Sequence, residues 1–202
     1  MKNFKNHLME SNREKYYQEL HEEWKDTPHH NSPIAVGWLD GRQNQTKRFE
    51  TLLDIGVQEG DSILDLGCGL GHMVEHLEKV GLNVRYTGID TNKKSIQQAY
   101  QFREANYIHG TIYDVQDKYD WGLASGVFNV EFPKLEMLET ISELLLKANK
   151  GVAFNLLSNS ANNNLTYENH TPEDIVSHLK GDVSVVENYG VENDFTIYIK
   201  KN

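Results

Sequence analysis

The chain has 202 residues, 38% of them hydrophobic and 25% charged, and its 30 acidic against 20 basic side chains give a formal charge of −10. A chain of this length buries roughly 70% of its unfolded surface and builds a real core without a metal or disulfide staple. That excludes a disordered chain, and the acidic balance argues against non-specific binding to nucleic acid or to an anionic membrane. One cysteine, Cys68, excludes an intramolecular disulfide framework. The first residues, Met1 to His7, lack the apolar core of a signal peptide, and no run approaches the ~20 apolar residues of a membrane span. The expected location is therefore cytoplasmic, with no membrane partner. Three glycosylation-pattern matches, beginning at Asn44, Asn164 and Asn169, are taken as chance without a secretory route.

In chain order, residues 1–60 are expected to form an N-terminal helical extension or lid, and residues 61–202 a single globular domain. From Arg13 to Trp24 charges are dense and apolar residues sparse, which predicts a mostly exposed helix. Two prolines within residues 27–33 break it. Phe49, Leu52, Leu53 and Ile55 then mark an amphipathic helix ending at Gly56.

From residue 61 strands alternate with helices. Strands are expected at 62–66, 84–89, 107–108, 121–124 and 152–157, and helices at 71–80, 92–103 and 135–146. Thr171 caps a further helix, with Pro172 in its first turn and Glu173 and Asp174 near its positive end. Residues 183–186 and 195–199 close the chain as a hairpin. The alternation predicts an α/β fold with a parallel sheet covered on both faces. Asn162, Asn163 and Asn164 lie in a polar run, 158–164, that leaves the fifth strand as a loop, a solvated segment or a mobile lid.

The segment that carries chemistry is Asp65-Leu66-Gly67-Cys68-Gly69-Leu70-Gly71. Glycines between a strand and a helix let the backbone turn sharply and approach a ligand closely. The amides at the helix start then face an anion or a ribose. A dinucleotide usually requires G-x-G-x-x-G, but here the third glycine comes one residue early and His72 takes the expected slot. Asp65 would also repel a phosphate, whereas it suits a ligand carrying an ammonium group. Asp90 ends the second strand, followed by Thr91 and Asn92, where an acid accepts from both ribose hydroxyls. A ribose without phosphate joined to an amino-acid head group describes S-adenosylmethionine.

Asp65 to Gly71, with Tyr86-Thr87-Gly88-Ile89-Asp90, resembles motifs I and II of the class I S-adenosylmethionine-dependent methyltransferases. The likeness runs from about Phe49 to the C-terminus. Gln45-x-x-Arg48-Phe49 and Ala153 to Ser158 resemble segments of a poorly characterised branch of that superfamily. The resemblance implies a Rossmann-like, doubly wound, seven-stranded sheet, mostly parallel with an antiparallel last strand at 194–199. It implies methyl transfer from S-adenosylmethionine, with S-adenosylhomocysteine as product, and no metal. The fourth-strand substrate motif falls at 124–129, containing Ser125 and Asn129. Many members carry an acid directly after the third strand to meet the adenine amino group. Here Thr111 stands there, with Ile112 beside it and Asp114 as a possible substitute.

The expected cofactor residues are thus Asp65, Gly67, Cys68, Gly69, Gly71, His72, Asp90, Thr91, Asn92, Thr111, Ile112 and Ser125. Arg48 and Trp38 precede the first strand, and either could fold over the cofactor; Arg48 would then pair with its carboxylate, the alternative being a surface charge. His170 and Tyr167 are the catalytic candidates. Asn129, Glu131 and Tyr189 are the substrate candidates. Cys68 reads as a small residue chosen for fit, because nothing supplies a paired base. His72-Met73-Val74-Glu75-His76 matches an inverted zinc-protease pattern, but it directly follows the glycine turn, so His76 reads instead as an exposed helix residue.

The proline-containing motif of DNA amino-methyltransferases is absent after the fourth strand, where Ser125-Gly126-Val127-Phe128 stands. With the acidic charge, this favours a small-molecule, sugar or peptide acceptor over nucleic acid. The competing reading from another class is a non-catalytic S-adenosylmethionine-binding module or partner subunit. A nicotinamide-dependent oxidoreductase is a third, opposed by the glycine spacing. The residues do not indicate an oligomeric state.

Overall fold

In the computed structural model, which describes residues 13, 15–27, 29–37, 41–130, 132–158 and 170–201, a helix over residues 15–24 (α1) is the first element among the described residues. A 3-10 turn at Pro33–Val36 and helix α2 (Gly41–Leu53) follow. Strands and helices then alternate: β1 (Ser62–Leu66), α3 (His72–Val80), β2 (Arg85–Asp90), α4 (Lys93–Phe102), β3 (Asn106–His109) and β4 (Tyr119–Ala124). The chain ends with α5 (Lys134–Lys147), β5 (Ala148–Leu157), α6 (Pro172–Val176), β6 (Asp182–Glu187) and β7 (Asp194–Lys200).

The strands make one seven-stranded sheet in the order β3-β2-β1-β4-β5-β7-β6. Pairings from β3 to β5 are parallel, and β7 runs antiparallel to both β5 and β6. This is the Rossmann-like, doubly wound arrangement expected from the sequence. The strand order reverses beside β1, where open α/β sheets place their ligand crevice.

Alternate side chains of each strand serve opposite faces. Ile63, Tyr86, Leu123 and Ala153 pack with Leu52 of α2, Leu77 of α3 and Ile96 of α4. Leu64, Ile89, Ala124 and Phe154 pack on the other face with Ile141 of α5 and Ile175 of α6. Burial on both faces explains why Ile63-Leu64-Asp65-Leu66 reads as a continuous rather than an alternating run. The parallel register brings Asp65 level with Gly88 and Leu123, and Asp90 level with His109. The polar residues at these strand ends therefore share one edge of the sheet.

Asn92 caps α4, accepting from the amides of Lys94 (3.0 Å) and Ser95 (3.2 Å). Asn92→Ala is expected to cost about 1 kcal/mol in a chemical denaturation series, the usual value of an N-cap.

Three expectations are corrected. Helix α2 begins at Gly41, well before the predicted apolar stripe, because its first turns bury polar side chains, Gln45 and Arg48, rather than apolar ones. Strand β5 begins at Ala148, which pairs with Tyr119, so the exposed Asn149 and Lys150 hid the start of a strand. His76 is buried rather than exposed, with its ring 5.8 Å from that of Phe49.

Candidate active site

A cavity of about 580 Å³ opens at the C-terminal ends of β1 to β4. The glycine turn forms its floor. Gly67, Gly69 and Gly71 all have positive φ, between 53° and 75°. An added Cβ on Gly67 would lie 2.5 Å from Val127 Cγ2, so the closeness of the turn to the β4 end requires glycine. The turn is tied to β2: the amides of Gly67 and Cys68 donate to Ile89 O at 2.7 and 3.1 Å, and the Gly69 amide donates to Asp90 Oδ2 at 2.8 Å. Asp90 Oδ1 accepts from the Asn92 amide at 2.7 Å. The carboxylate is thus oriented by two backbone donors before any ligand arrives. Burial raises its pKa, and those two amides oppose the rise.

Asp65 is buried at the end of β1, and its Oδ2 accepts from the Tyr86 hydroxyl at 2.6 Å. Burial pushes its pKa up to about 7; the Tyr86 bond works against this and the Asp90 charge adds to it. This carboxyl faces the cavity, where an ionised form could pair with a cation.

His72 opens α3 and lines the cavity. Its Nε2 faces Asn31 O at 3.2 Å, and its Nδ1 faces Gln45 Nε2 at 3.3 Å. A carbonyl can only accept, so Nε2 carries the proton and Nδ1 accepts from the glutamine amide. Burial, with help from the Arg103 charge, lowers its pKa to about 4, which keeps the ring neutral at physiological pH. On the third-strand side, Thr111 donates to Asp114 Oδ2 through both its amide (2.8 Å) and its hydroxyl (2.9 Å). Asp114 is thereby turned to Thr111, while Ile112 and Tyr113 line the cavity.

The N-terminal segment crosses this opening. Arg13, Tyr17 and Gly37 line the cavity. Arg13 stacks 3.9 Å from the Phe132 ring centroid and pairs with Glu136 of α5 at 3.0 Å. On the opposite side, Glu22 pairs with Lys94 at 2.5 Å, and Asn31 Oδ1 accepts from Arg103 at 2.8 Å. Contacts on both rims hold the segment over the site.

Of the residues expected at the site, the cavity gathers Arg48, Asp65, Gly67, Cys68, Gly69, His72, Asp90, Thr91, Asn92, Thr111, Ile112, Ser125 and Asn129. Gly71 lies just outside it as the N-cap of α3. His170 is buried just before α6 and Tyr189 sits against Asp194; neither lines the cavity. Trp38, Glu131, Tyr167 and the asparagine-rich run at 159–164 fall outside the described residues. Among those described, no cluster of His, Cys, Asp and Glu can hold a metal, and no helix is long and apolar enough to cross a membrane. Sequence reasoning missed Arg13, Tyr17, Phe132 and Glu136. Nothing in their local pattern marks them, since they meet only when α1 folds over α5.

A methyltransferase-domain family profile matches residues 57–186, more than half of the chain. The chain belongs to this methyltransferase family. The resemblance to class I S-adenosylmethionine-dependent methyltransferases is established with it, and S-adenosylmethionine is the cofactor of that class. The chain is 32% identical, over 107 residues, to a Mycobacterium tuberculosis protein named as a methyltransferase, a match covering 48% of this chain and 63% of that one. It is also 32% identical over 89 residues to the ubiquinone biosynthesis O-methyltransferase of Cupriavidus pinatubonensis, covering 41% of this chain and 30% of the relative. The matches thus span less than two thirds of either relative's length. Among solved structures, magnesium protoporphyrin IX methyltransferase from Synechocystis, crystallised with S-adenosylhomocysteine, superposes with a TM-score of 0.61. That superposition covers 79% of this chain and 83% of that one at 15% identity, a likeness of fold.

Proposed function

We propose that the chain transfers a methyl group from S-adenosylmethionine to a small-molecule acceptor, with Arg13, Tyr17 and Gly37 of the N-terminal segment covering the site during the reaction. The observation that carries this is the convergence of Asp65, Asp90 and the intervening glycine turn on one cavity. Its volume, about 580 Å³, falls in the range of roughly 300–1,000 Å³ usual for small-molecule sites. Asp90, held by two amides, would accept from the ribose hydroxyls. Asp65 would pair with the α-ammonium and Arg48 with the carboxylate of the amino-acid end. Ile112 and Tyr113 offer apolar and aromatic surface to the adenine.

The cofactor supplies an electrophilic methyl group on a sulfonium. The chain's task is then to align the acceptor and exclude water. Asn129 spends its amide oxygen on the Leu157 amide at 3.3 Å, so its NH₂ is the group it offers an acceptor. Arg13 and the N-terminal segment close the outer face. The net charge of −10 opposes a polyanionic acceptor, and the proposed site of action is the cytoplasm.

Calorimetry with S-adenosylmethionine and S-adenosylhomocysteine tests the cofactor, and absence of binding by both sinks the reading. Transfer of a radiolabelled methyl group into a metabolite extract, compared with total nucleic acid, tests the acceptor. Label is expected in the small-molecule fraction. Strong labelling of nucleic acid would overturn the acceptor class, and binding without any turnover would assign a non-catalytic role.

A further inference from the structure

Six polar side chains form one continuous line of hydrogen bonds behind the cavity, and only its two ends, Ser125 and Arg48, line the cavity itself. Ser125 Oγ lies 2.9 Å from Asn155 Oδ1, and Asn155 Nδ2 lies 2.7 Å from Thr196 Oγ1. Thr196 Oγ1 is 3.3 Å from the Tyr189 hydroxyl, which bonds Asp194 Oδ1. Asp194 Oδ2 then accepts from Arg48 Nε at 2.7 Å. Asn155 and Thr196 are fully buried in the sheet, and the Arg48–Asp194 pair is almost as deep, with side-chain exposures of 3% and 0%.

The direction of every bond follows from the charge on Asp194. A carboxylate only accepts, so Tyr189 must donate its single proton to it. The tyrosine oxygen then has no proton left for Thr196, so Thr196 donates to Tyr189. The threonine oxygen must in turn accept from Asn155, which turns the amide NH₂ toward Thr196 and its oxygen toward Ser125. Ser125 therefore spends its proton on Asn155 and presents lone pairs to the cavity. At the other end, Asp194 holds the Arg48 guanidinium against the opposite stretch of wall. One buried carboxylate thus makes Ser125 an acceptor and fixes the Arg48 cation in place on two sides of the same site.

We propose that Asp194 is a positioning residue for the cofactor, setting the polarity of Ser125 and the placement of Arg48 so that together they recognise the ammonium and carboxylate of an amino-acid head group. The inference rests on the S-adenosylmethionine reading and deepens it. Burying an ion pair and a polar line in a sheet gives little net stability compared with apolar packing. A role in orienting cavity groups accounts for their presence there.

The test compares two ligands on the full chain by calorimetry. S-adenosylhomocysteine carries the zwitterionic head group; 5′-methylthioadenosine keeps adenine and ribose but lacks it. Asp194→Asn is nearly isosteric, yet its amide can donate to Tyr189 and release the direction of the line. It is expected to weaken S-adenosylhomocysteine binding about 10-fold or more, the effect of losing a charge-assisted contact. The 5′-methylthioadenosine affinity should stay within about twofold. Tyr189→Phe, which removes one bond to Asp194 at a partly buried site, should show the same split at smaller amplitude and serves if Asp194→Asn does not fold. Equal losses for both ligands, or no loss for either, would overturn the proposal. Failure of the unsubstituted chain to bind either ligand would instead overturn the cofactor reading beneath it.

Discussion

Asp65→Asn is expected to weaken S-adenosylhomocysteine binding about 100-fold or more, the usual cost of stripping one partner from a desolvated charge pair. The same substitution should raise the melting temperature of the ligand-free protein. Asp65 is buried beside Asp90, and its pKa is pushed up to about 7 from the ordinary 3.8. A raised carboxyl pKa means that the folded state holds the proton more tightly than the unfolded chain. The ligand-free protein therefore loses stability as pH rises from about 4 through about 7 and stays destabilised above that. Asparagine keeps an oxygen for the Tyr86 hydroxyl without the charge. At pH 8 the ligand-free variant should thus melt roughly 5 °C above the unsubstituted chain, in a scan run on both proteins.

Ligand affinity runs the other way with pH. The ammonium needs an ionised Asp65, so affinity for S-adenosylhomocysteine should climb through neutrality, with a proton released on binding below pH 7. Calorimetry in two buffers of different ionisation enthalpy measures that proton. Binding to the unsubstituted chain that is flat between pH 6 and 8 would rule out Asp65 as the ammonium's partner.

Asp90→Ala is the second large effect. Its carboxylate is expected to accept two ribose hydroxyls, each such charged hydrogen bond contributing about 1.5–3 kcal/mol, so affinity should fall roughly 1,000-fold. It also accepts from the amides of Gly69 and Asn92, so the ligand-free variant should melt lower, opposite to Asp65→Asn. The two substitutions separate further on 5′-methylthioadenosine, which has a ribose but no ammonium. Asp90→Ala should abolish its binding, and Asp65→Asn should leave it nearly unchanged. Retained 5′-methylthioadenosine binding by Asp90→Ala would remove Asp90 from the ribose site.

Much of the site was legible because the class I fold writes it in local sequence. A glycine turn between a strand and a helix, with an acid before it and another ending the next strand, depends on backbone conformation and strand register, both set within a short stretch of chain. The helices α3 to α5 were legible too, from their apolar spacing. Arg48 was harder. The sequence allowed it to reach the cofactor or to sit on the surface, and its buried partner Asp194 comes from the far end of the chain. His76 misled for a similar reason: its helix turns it toward Phe49 of α2, a neighbour that no helical period reveals.

The sequence by itself determined the alternating strands and helices, the glycine turn, the two cavity acids and an acidic balance unsuited to a polyanionic partner. These follow from side-chain period, glycine's freedom at positive φ and charge, all local or compositional properties. Only the tertiary structure decided that Arg13 closes against Phe132 and Glu136. It also decided that His72 is neutral between Asn31 and Gln45, and that a line of hydrogen bonds joins Asp194 to Ser125 across the two strand pairings from β7 to β4. Those features join residues far apart in the chain, and their chemistry comes from burial and from who donates to whom, which only the packed sheet establishes.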